Sequence, residues 1–392
     1  MGPVPRDDDD ADGRGSGHDR QSRLAPVDVA LTVEQLWQPV PGGSGSYIRE
    51  LVAALPSAGV RPVGLAARGD AGDDGGLGVP VVRSALPRRA LYESWSRLRR
   101  PRADGPAGRV DVVHATTWAV PGHRAPLVVT VHDLAFLRDP GHFTPRGNAF
   151  FRRALDITRA EAARVVVPSR ATRDDCVAEG VDADRVDVVP HGVRVPEVTP
   201  SERAAWRRRH GVDRPYVLWC GTLEPRKNLP RLVEAYARAA AEAPGFPDLV
   251  LVGPAGWGGE ADRVAAALSA LPEGAVHLLG RLPEADLHAA YAGATAFAFP
   301  SLREGFGMPV LEAMAHGVPV LTSAGTSMAE FAAGAGVLAD PADADALAAG
   351  LVALVDGDAG AWSAAGRRTA AGMTWASSAE AHAATYRAAA RS

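Results

Sequence analysis

Short apolar runs alternate with amphipathic stretches along almost the whole of this chain, and no other feature narrows the fold so far. Runs at 27–33, 110–114, 127–132 and 164–168 each suit one strand; helical periodicity fills 47–55 and 148–163, and Ser169 opens a further helix. A second series follows the proline-bearing stretch 194–200, with strands expected at 216–220, 248–252, 276–279, 296–299, 319–322 and 336–338. Strands joined through helices pair in parallel, and the crossover helices cover both faces of the sheet. The expected class is therefore α/β, with two Rossmann-like, doubly wound parallel-sheet domains facing a central cleft. Ligands of such sheets sit at the carboxyl ends of the strands.

The 392 residues allow two cores, divided here as 26–195 and 204–374 with a linker at 196–203. Residues 1–25 carry the run Asp7-Asp8-Asp9-Asp10 and almost no aliphatic side chains, so they read as a disordered tail. A basic start followed by an apolar stretch is missing there, which excludes a signal peptide. A net charge of −4 argues against a general nucleic-acid binder. The two cysteines, Cys176 and Cys220, make no metal-ligand spacing, and a reducing, cytoplasmic compartment is the natural reading. Lys227 is the single lysine; every other basic residue among the 42 is arginine, which marks Lys227 as a place where a compact, flexible charge is needed.

A dinucleotide enzyme would show a glycine fingerprint after a strand. Neither Gly42-Gly43-Ser44-Gly45-Ser46 nor the stretch from Cys220 to Glu224 supplies the third glycine of G-x-G-x-x-G. The densest constellation lies at 299–320 instead. An apolar strand ends at Ser301, a loop carries Glu304, Gly305, Phe306 and Gly307, and Pro309 stands in the first turn of a helix that holds Glu312 and stops at Gly317. Free N–H groups at a helix start attract an anion, and the two glycines let it approach the backbone. Two carboxylates flanking that seat serve better as acceptors for neutral hydroxyls. Hydroxyl, phosphate and hydroxyl together describe a sugar nucleotide.

The segment from Glu304 to Glu312 resembles the E-x7-E motif of retaining GT-B glycosyltransferases of family 4. Gly221-Thr-Leu-Glu-Pro-Arg226-Lys227-Asn-Leu resembles their diphosphate-binding loop, and the likeness spans roughly 27–386. It implies that Glu304 binds donor-sugar hydroxyls, Glu312 the ribose, and Arg226 with Lys227 the diphosphate. In relatives an arginine often follows the loop glycine; here Thr222 stands there, leaving Arg226 to serve beside Lys227. The resemblance further implies that Arg281 lies near the base, that His132 meets the donor sugar and phosphate with Asp133 beside it, and that the pair Gly42-Gly43 closes over the diphosphate. Helix 375–392, with Trp375 and Tyr386, is implied to cross back to the first domain. Ser169, Gly192 and Trp375 read as cap, turn and core.

By the same resemblance the donor is a nucleotide-diphosphate sugar. The Glu-Pro-Arg-Lys-Asn form of the loop is most similar to mannosyltransferases using GDP-mannose, with UDP-sugars open. The acceptor expected is a saccharide or lipid-linked intermediate of the cell envelope. No metal or other cofactor is expected, because the cations and the helix start already meet the phosphates. Residues 88–100 read as a basic amphipathic helix, with Leu91, Trp95 and Leu98 on one face and Arg89, Arg97 and Arg100 on the other, which either packs on its own sheet with a solvated arginine face or makes peripheral contact with an anionic inner membrane face. Rival readings are a sugar-nucleotide epimerase of the same fold and a non-catalytic sugar-nucleotide-binding protein.

Overall fold

A computed structural model describes residues 1–2, 25–70, 72–105, 107–256, 259–269, 271–272 and 274–392. The tail expected at 1–25 therefore lies almost wholly outside the described residues. The first sheet contains β1 (Val27–Thr32), β2 (Val60–Ala66), β3 (Val81–Arg83), β4 (Val112–Ala115), β5 (Leu127–Thr130), β6 (Ala162–Val167) and β7 (Val186–Val188). Their order is β3-β2-β1-β4-β5-β6-β7, all parallel. The second sheet contains β8 (Tyr216–Cys220), β9 (Asp248–Val252), β10 (Val276–Gly280), β11 (Ala296–Phe299), β12 (Val320–Ser323) and β13 (Gly336–Ala339). It runs β10-β9-β8-β11-β12-β13, again parallel throughout.

Both sheets are doubly wound as the alternation requires, and both are covered. Four of the five residues of β8 are wholly inaccessible to solvent, which explains why the strand reads as a continuous apolar run rather than an alternating one. In each sheet the order reverses once, between β1 and β4 and between β8 and β11. Loops at those reversals diverge above and below the sheet and leave a crevice at the carboxyl ends.

Three strands carry no clear sequence signal: β2, β3 and β7. Strand β2 holds Pro62 and Gly64, residues that usually interrupt strands. Pro62 is tolerated because β3 begins to pair only at Gly64, so the missing N–H falls where no partner waits. Gly64 is required by packing: a Cβ there would lie 2.9 Å from a Val33 methyl and 3.0 Å from one of Val81. The stretch taken as linker, 196–203, ends inside the helix Pro200–His210, whose start is fixed by a reciprocal cap between Thr199 and Glu202.

The final helix, Trp375–Ala389, returns to the first domain. Trp375, Ala379, Ala383, Tyr386 and Ala389 share one apolar core with Val29, Leu31, Ile48 and Leu51. The basic helix covers Arg88–Leu98, and its apolar face is already used: Leu91 and Trp95 are buried with Ala67 and Ala119, and the Trp95 indole donates to the Pro101 carbonyl at 3.0 Å. Of the apolar stripe only Leu98 is free, 70% exposed, so the packed alternative holds for Leu91 and Trp95. Arg97 pairs with Glu93 on the same surface, whereas Arg89 and Arg100 stand exposed.

Candidate functional site

Two loops from the reversal point of the second sheet meet face to face. The loop after β8 ends in a short 3-10 turn, Pro225–Lys227, and Asn228 follows with φ +59°. The Asn228 amide nitrogen donates to the Pro300 carbonyl at 3.1 Å and to that of Pro341 at 2.7 Å. The Leu302 N–H donates to the Arg226 carbonyl at 2.8 Å. The backbone is thereby laced so that Arg226 and Lys227 face the loop after β11.

Lys227 Nζ lies 2.6 Å from Glu304 Oε1, and Arg226 Nη1 lies 2.7 Å from Glu304 Oε2. Ser301 donates a third bond to Glu304, at 2.7 Å, and Glu224 takes the other edge of Arg226 at 2.9 Å. The ammonium also stands 4.7 Å above the Phe299 ring. Burial alone would raise the Glu304 carboxyl; the two cations and the hydrogen bonds outweigh it and hold the group at about 2. Burial depresses the Lys227 ammonium, while Glu304 opposes the shift. Burial works against the Arg226 guanidinium too, but Glu304 and Glu224 raise it well above its ordinary range. A buried charge is stable only when paired in this way. Glu304 and the pair Arg226-Lys227, assigned to different parts of the donor in the sequence, form one cluster.

Past Glu304 the loop reaches the first domain. A Cβ on Gly305 would fall 1.8 Å from the His132 carbonyl oxygen, so only glycine permits the contact. The Ser169 and Thr172 hydroxyls donate to the Gly305 carbonyl at 2.7 and 3.2 Å. Phe306 packs edge-on to His191, with ring centroids 5.1 Å apart. Gly307 has φ +105° and opens the helix Met308–His316. Within it Glu312 accepts from the Tyr291 hydroxyl at 3.1 Å, and burial lifts its carboxyl to about 7. On the same side Glu330 accepts from the N–H groups of Arg170 and Ala171, at 3.0 and 2.9 Å, closing the first-domain helix start against the second domain. Asp133, Arg138, Asp175, Arg226, Glu304 and Thr326 are among the residues that line a cavity of about 290 Å³ between the domains.

The first-domain candidates fall into place unevenly. His132 Nε2 donates to the Thr116 carbonyl at 3.0 Å, since a carbonyl only accepts, and burial lowers its basicity. Asp133 accepts from the Ala135 N–H at 3.1 Å, just ahead of the short helix Ala135–Arg138. Gly42 and Gly43 begin the helix Gly42–Ala54, and nothing lies within 4 Å of a Cβ built on either. Arg281, directly after β10, is exposed and makes no ion pair or side-chain hydrogen bond among the described residues, so it stands apart from the cluster. Ser169 caps the helix Arg170–Ala178, and the Gly192 backbone lies against that of Trp375. Tyr47, His191, Tyr291 and Glu330 carry no motif, and no sequence signal marks them. Burial pushes the Cys220 thiol up to about 12, leaving it inert.

Residues 202–368 match the family model of glycosyl transferases group 1, and residues 41–197 match that of glycosyltransferase family 4. The O-antigen chain mannosyltransferase B of Escherichia coli is 31% identical over 288 residues, covering 70% of this chain and 73% of that one. The D-inositol 3-phosphate glycosyltransferase of Geodermatophilus obscurus is 32% identical over 348 residues, covering 82% and 74%. Among solved structures, Anabaena HepE in complex with UDP and glucose matches with a TM-score of 0.71 at 20% identity, over 92% of this chain and 99% of that one, which shows a shared GT-B fold.

Proposed function

This chain belongs to the glycosyl transferases of group 1, and on that premise we propose that it moves a hexosyl group, mannosyl by preference, from a nucleotide-diphosphate sugar to a saccharide or lipid-linked acceptor of the cell envelope, with retention at the anomeric carbon. The observation that carries the reading is the largely buried cluster of Arg226, Lys227 and Glu304 at the reversal of the second sheet, beside the start of the helix Met308–His316. A binding protein would not need two cations desolvated against one carboxylate. Charge that develops on a leaving diphosphate rewards such preorganisation. The resemblance to a mannosyltransferase, both in the loop and in the Escherichia coli relative, supports GDP-mannose as the donor.

In this reading the diphosphate enters beside Lys227 and Arg226, which then share their charge between phosphate and Glu304. In the same reading the start of the helix Met308–His316 attracts the diphosphate through its partial positive charge. Glu304 accepts from sugar hydroxyls. Glu312 accepts from the ribose, whose hydroxyls donate to a carboxylate more readily than to its protonated form. His132 has its Nε2 proton committed to Thr116, so neutral Nδ1 offers a lone pair, and a donor-sugar hydroxyl is the group it can receive. The bond from the anomeric carbon to the diphosphate oxygen breaks while the acceptor oxygen bonds on the same face. The acceptor's proton passes to the departing diphosphate oxygen, whose charge the two cations stabilise. The cations and the helix start neutralise the diphosphate, so we read the reaction as metal-independent.

Arg89 and Arg100, with exposed Leu98, support peripheral contact with an anionic membrane that is electrostatic in kind, because Leu91 and Trp95 are committed to the protein core. The deciding experiment is thermal stabilisation by a panel of GDP-, UDP- and ADP-sugars followed by turnover of the stabilising donor. Stabilisation by GDP-mannose with release of GDP is expected. Turnover of a UDP-sugar alone would move the donor assignment, and isomerised donor without acceptor would establish an epimerase.

A further inference from the structure

Beneath the cleft a chain of buried polar groups runs between the final helix and the first sheet, and its proton order follows from one atom. His382 Nδ1 lies 2.7 Å from the Ser378 carbonyl. A carbonyl only accepts, so the proton sits on Nδ1 and neutral Nε2 carries a lone pair. Tyr47 Oη, 2.9 Å from that Nε2, must donate to it. The Tyr47 oxygen then accepts from Thr130 Oγ1 at 2.9 Å, Thr130 accepts from His114 Nε2 at 2.8 Å, and His114 Nδ1 accepts from the Tyr386 hydroxyl at 2.8 Å. Five hydrogen bonds therefore point one way, from Tyr386 to Ser378. Tyr47, His114, Thr130, His382 and Tyr386 are all 1% exposed or less. Reversing any link would leave a donor without an acceptor in a site that water does not reach.

Both ends of this chain lie on the helix Trp375–Ala389, at residues 378, 382 and 386, one turn apart each. Its middle lies on β4, β5 and the helix Gly42–Ala54. Tyr47 is the member that touches the cleft machinery. It stands one helical turn after Gly43, the residue assigned to closing over the diphosphate. Its ring meets the His132 ring edge-on at 4.9 Å and the His191 ring at 4.9 Å, and His191 in turn meets Phe306 of the Glu304 loop. Thr130, the next link, ends β5 two residues before His132.

We propose that Tyr47 is a positioning residue: held by the directed chain, it sets the place of Gly43 and His132 in the cleft, and the final helix thereby governs the catalytic geometry of a domain far from it in sequence. The role rests on the transfer reading above, but it makes a claim about order in the first domain that holds with or without turnover. Tyr47→Phe keeps the ring and removes both bonds. His382→Ala removes the acceptor from outside the cleft, and His382→Gln restores one.

The test has two arms. Hydrogen exchange of the protein without added nucleotide should quicken about tenfold at 42–46 and 131–134 in Tyr47→Phe and in His382→Ala, with the second domain unchanged and His382→Gln near the parent. For release of GDP from GDP-mannose, kcat should fall about tenfold or more with KM within about twofold, because misplacement acts on the reacting geometry more than on binding. Unchanged exchange in both variants overturns the proposal, as does quickened exchange with an unchanged kcat. A parent that turns over none of the panel sugars defeats the transfer reading alone, and the exchange arm then decides this one. If Tyr47→Phe fails to fold, Thr130→Val breaks the same chain at its next link and is judged by the same two readouts.

Discussion

Replacing Lys227 by Met keeps most of the buried stem and removes only the charge, so its effect separates electrostatics from packing. In the free protein the ammonium holds one oxygen of Glu304 at 2.6 Å, but Arg226 holds the other at 2.7 Å and Ser301 donates a third bond at 2.7 Å. Breaking a buried pair outright costs about 3–5 kcal/mol. Here the carboxylate keeps two of its three partners, so the stability loss should stay near 1–2 kcal/mol, within the range for a hydrogen bond to a charged group. At the transition state the loss is larger. One preorganised group stabilising developing charge is worth about 3 kcal/mol, a fall of roughly 10²-fold in kcat. The assay is initial-rate GDP release from GDP-mannose, paired with thermal unfolding of the same preparations. A variant with the parent's kcat, or one whose lost activity follows only from unfolding, would refute the assignment of Lys227 to the diphosphate.

Other outcomes follow from the same reading. Glu312→Ala should mainly weaken GDP binding in calorimetry, while Glu304→Ala should lower turnover with GDP still bound. Glu312, raised from 4.5 to about 7 by burial, contributes stability that is full below pH 4.5 and lost as pH rises through about 7. Thermal scans should therefore show the parent weakening from pH 5 to 8 by up to about 3 kcal/mol relative to Glu312→Gln; parallel curves would contradict the burial argument. Replacing Arg89, Arg97 and Arg100 by Gln should reduce sedimentation with anionic vesicles at low salt and leave transfer to a soluble acceptor unchanged. If two cations and a helix start meet the diphosphate as proposed, initial rates should survive excess EDTA; a rate restored only by Mg²⁺ or Mn²⁺ would overturn that step.

Much of this was legible in the chain because the physics was local. Strands β8, β9 and β11 stand where unbroken apolar runs of four or five residues place them, since a strand buried on both faces has no other pattern available. Glu304, Gly305 and Gly307 were legible because a strand, a glycine loop and a proline-started helix follow in order. Strand β2 was hidden, because whether Pro62 and Gly64 break a strand depends on neighbours far away in sequence. The 77-residue gap between Lys227 and Glu304 concealed their direct pairing: each motif implied a ligand, and neither implied the other. Leu91 and Trp95 show where periodicity alone leaves a choice open. Their helical spacing was read correctly, but periodicity says only that a face is apolar, and the face that covers it here is the chain's own.

The most direct test of the account is the product itself. The parent, given GDP-mannose labelled at the anomeric carbon and an acceptor saccharide, should release GDP and yield an α-configured mannoside by NMR, with Lys227→Met about 10²-fold slower at the same step. A β-configured product would contradict the retaining course, and failure to turn over any GDP-, UDP- or ADP-sugar by a folded parent would contradict the claim that the Arg226, Lys227 and Glu304 cluster is built for a departing diphosphate.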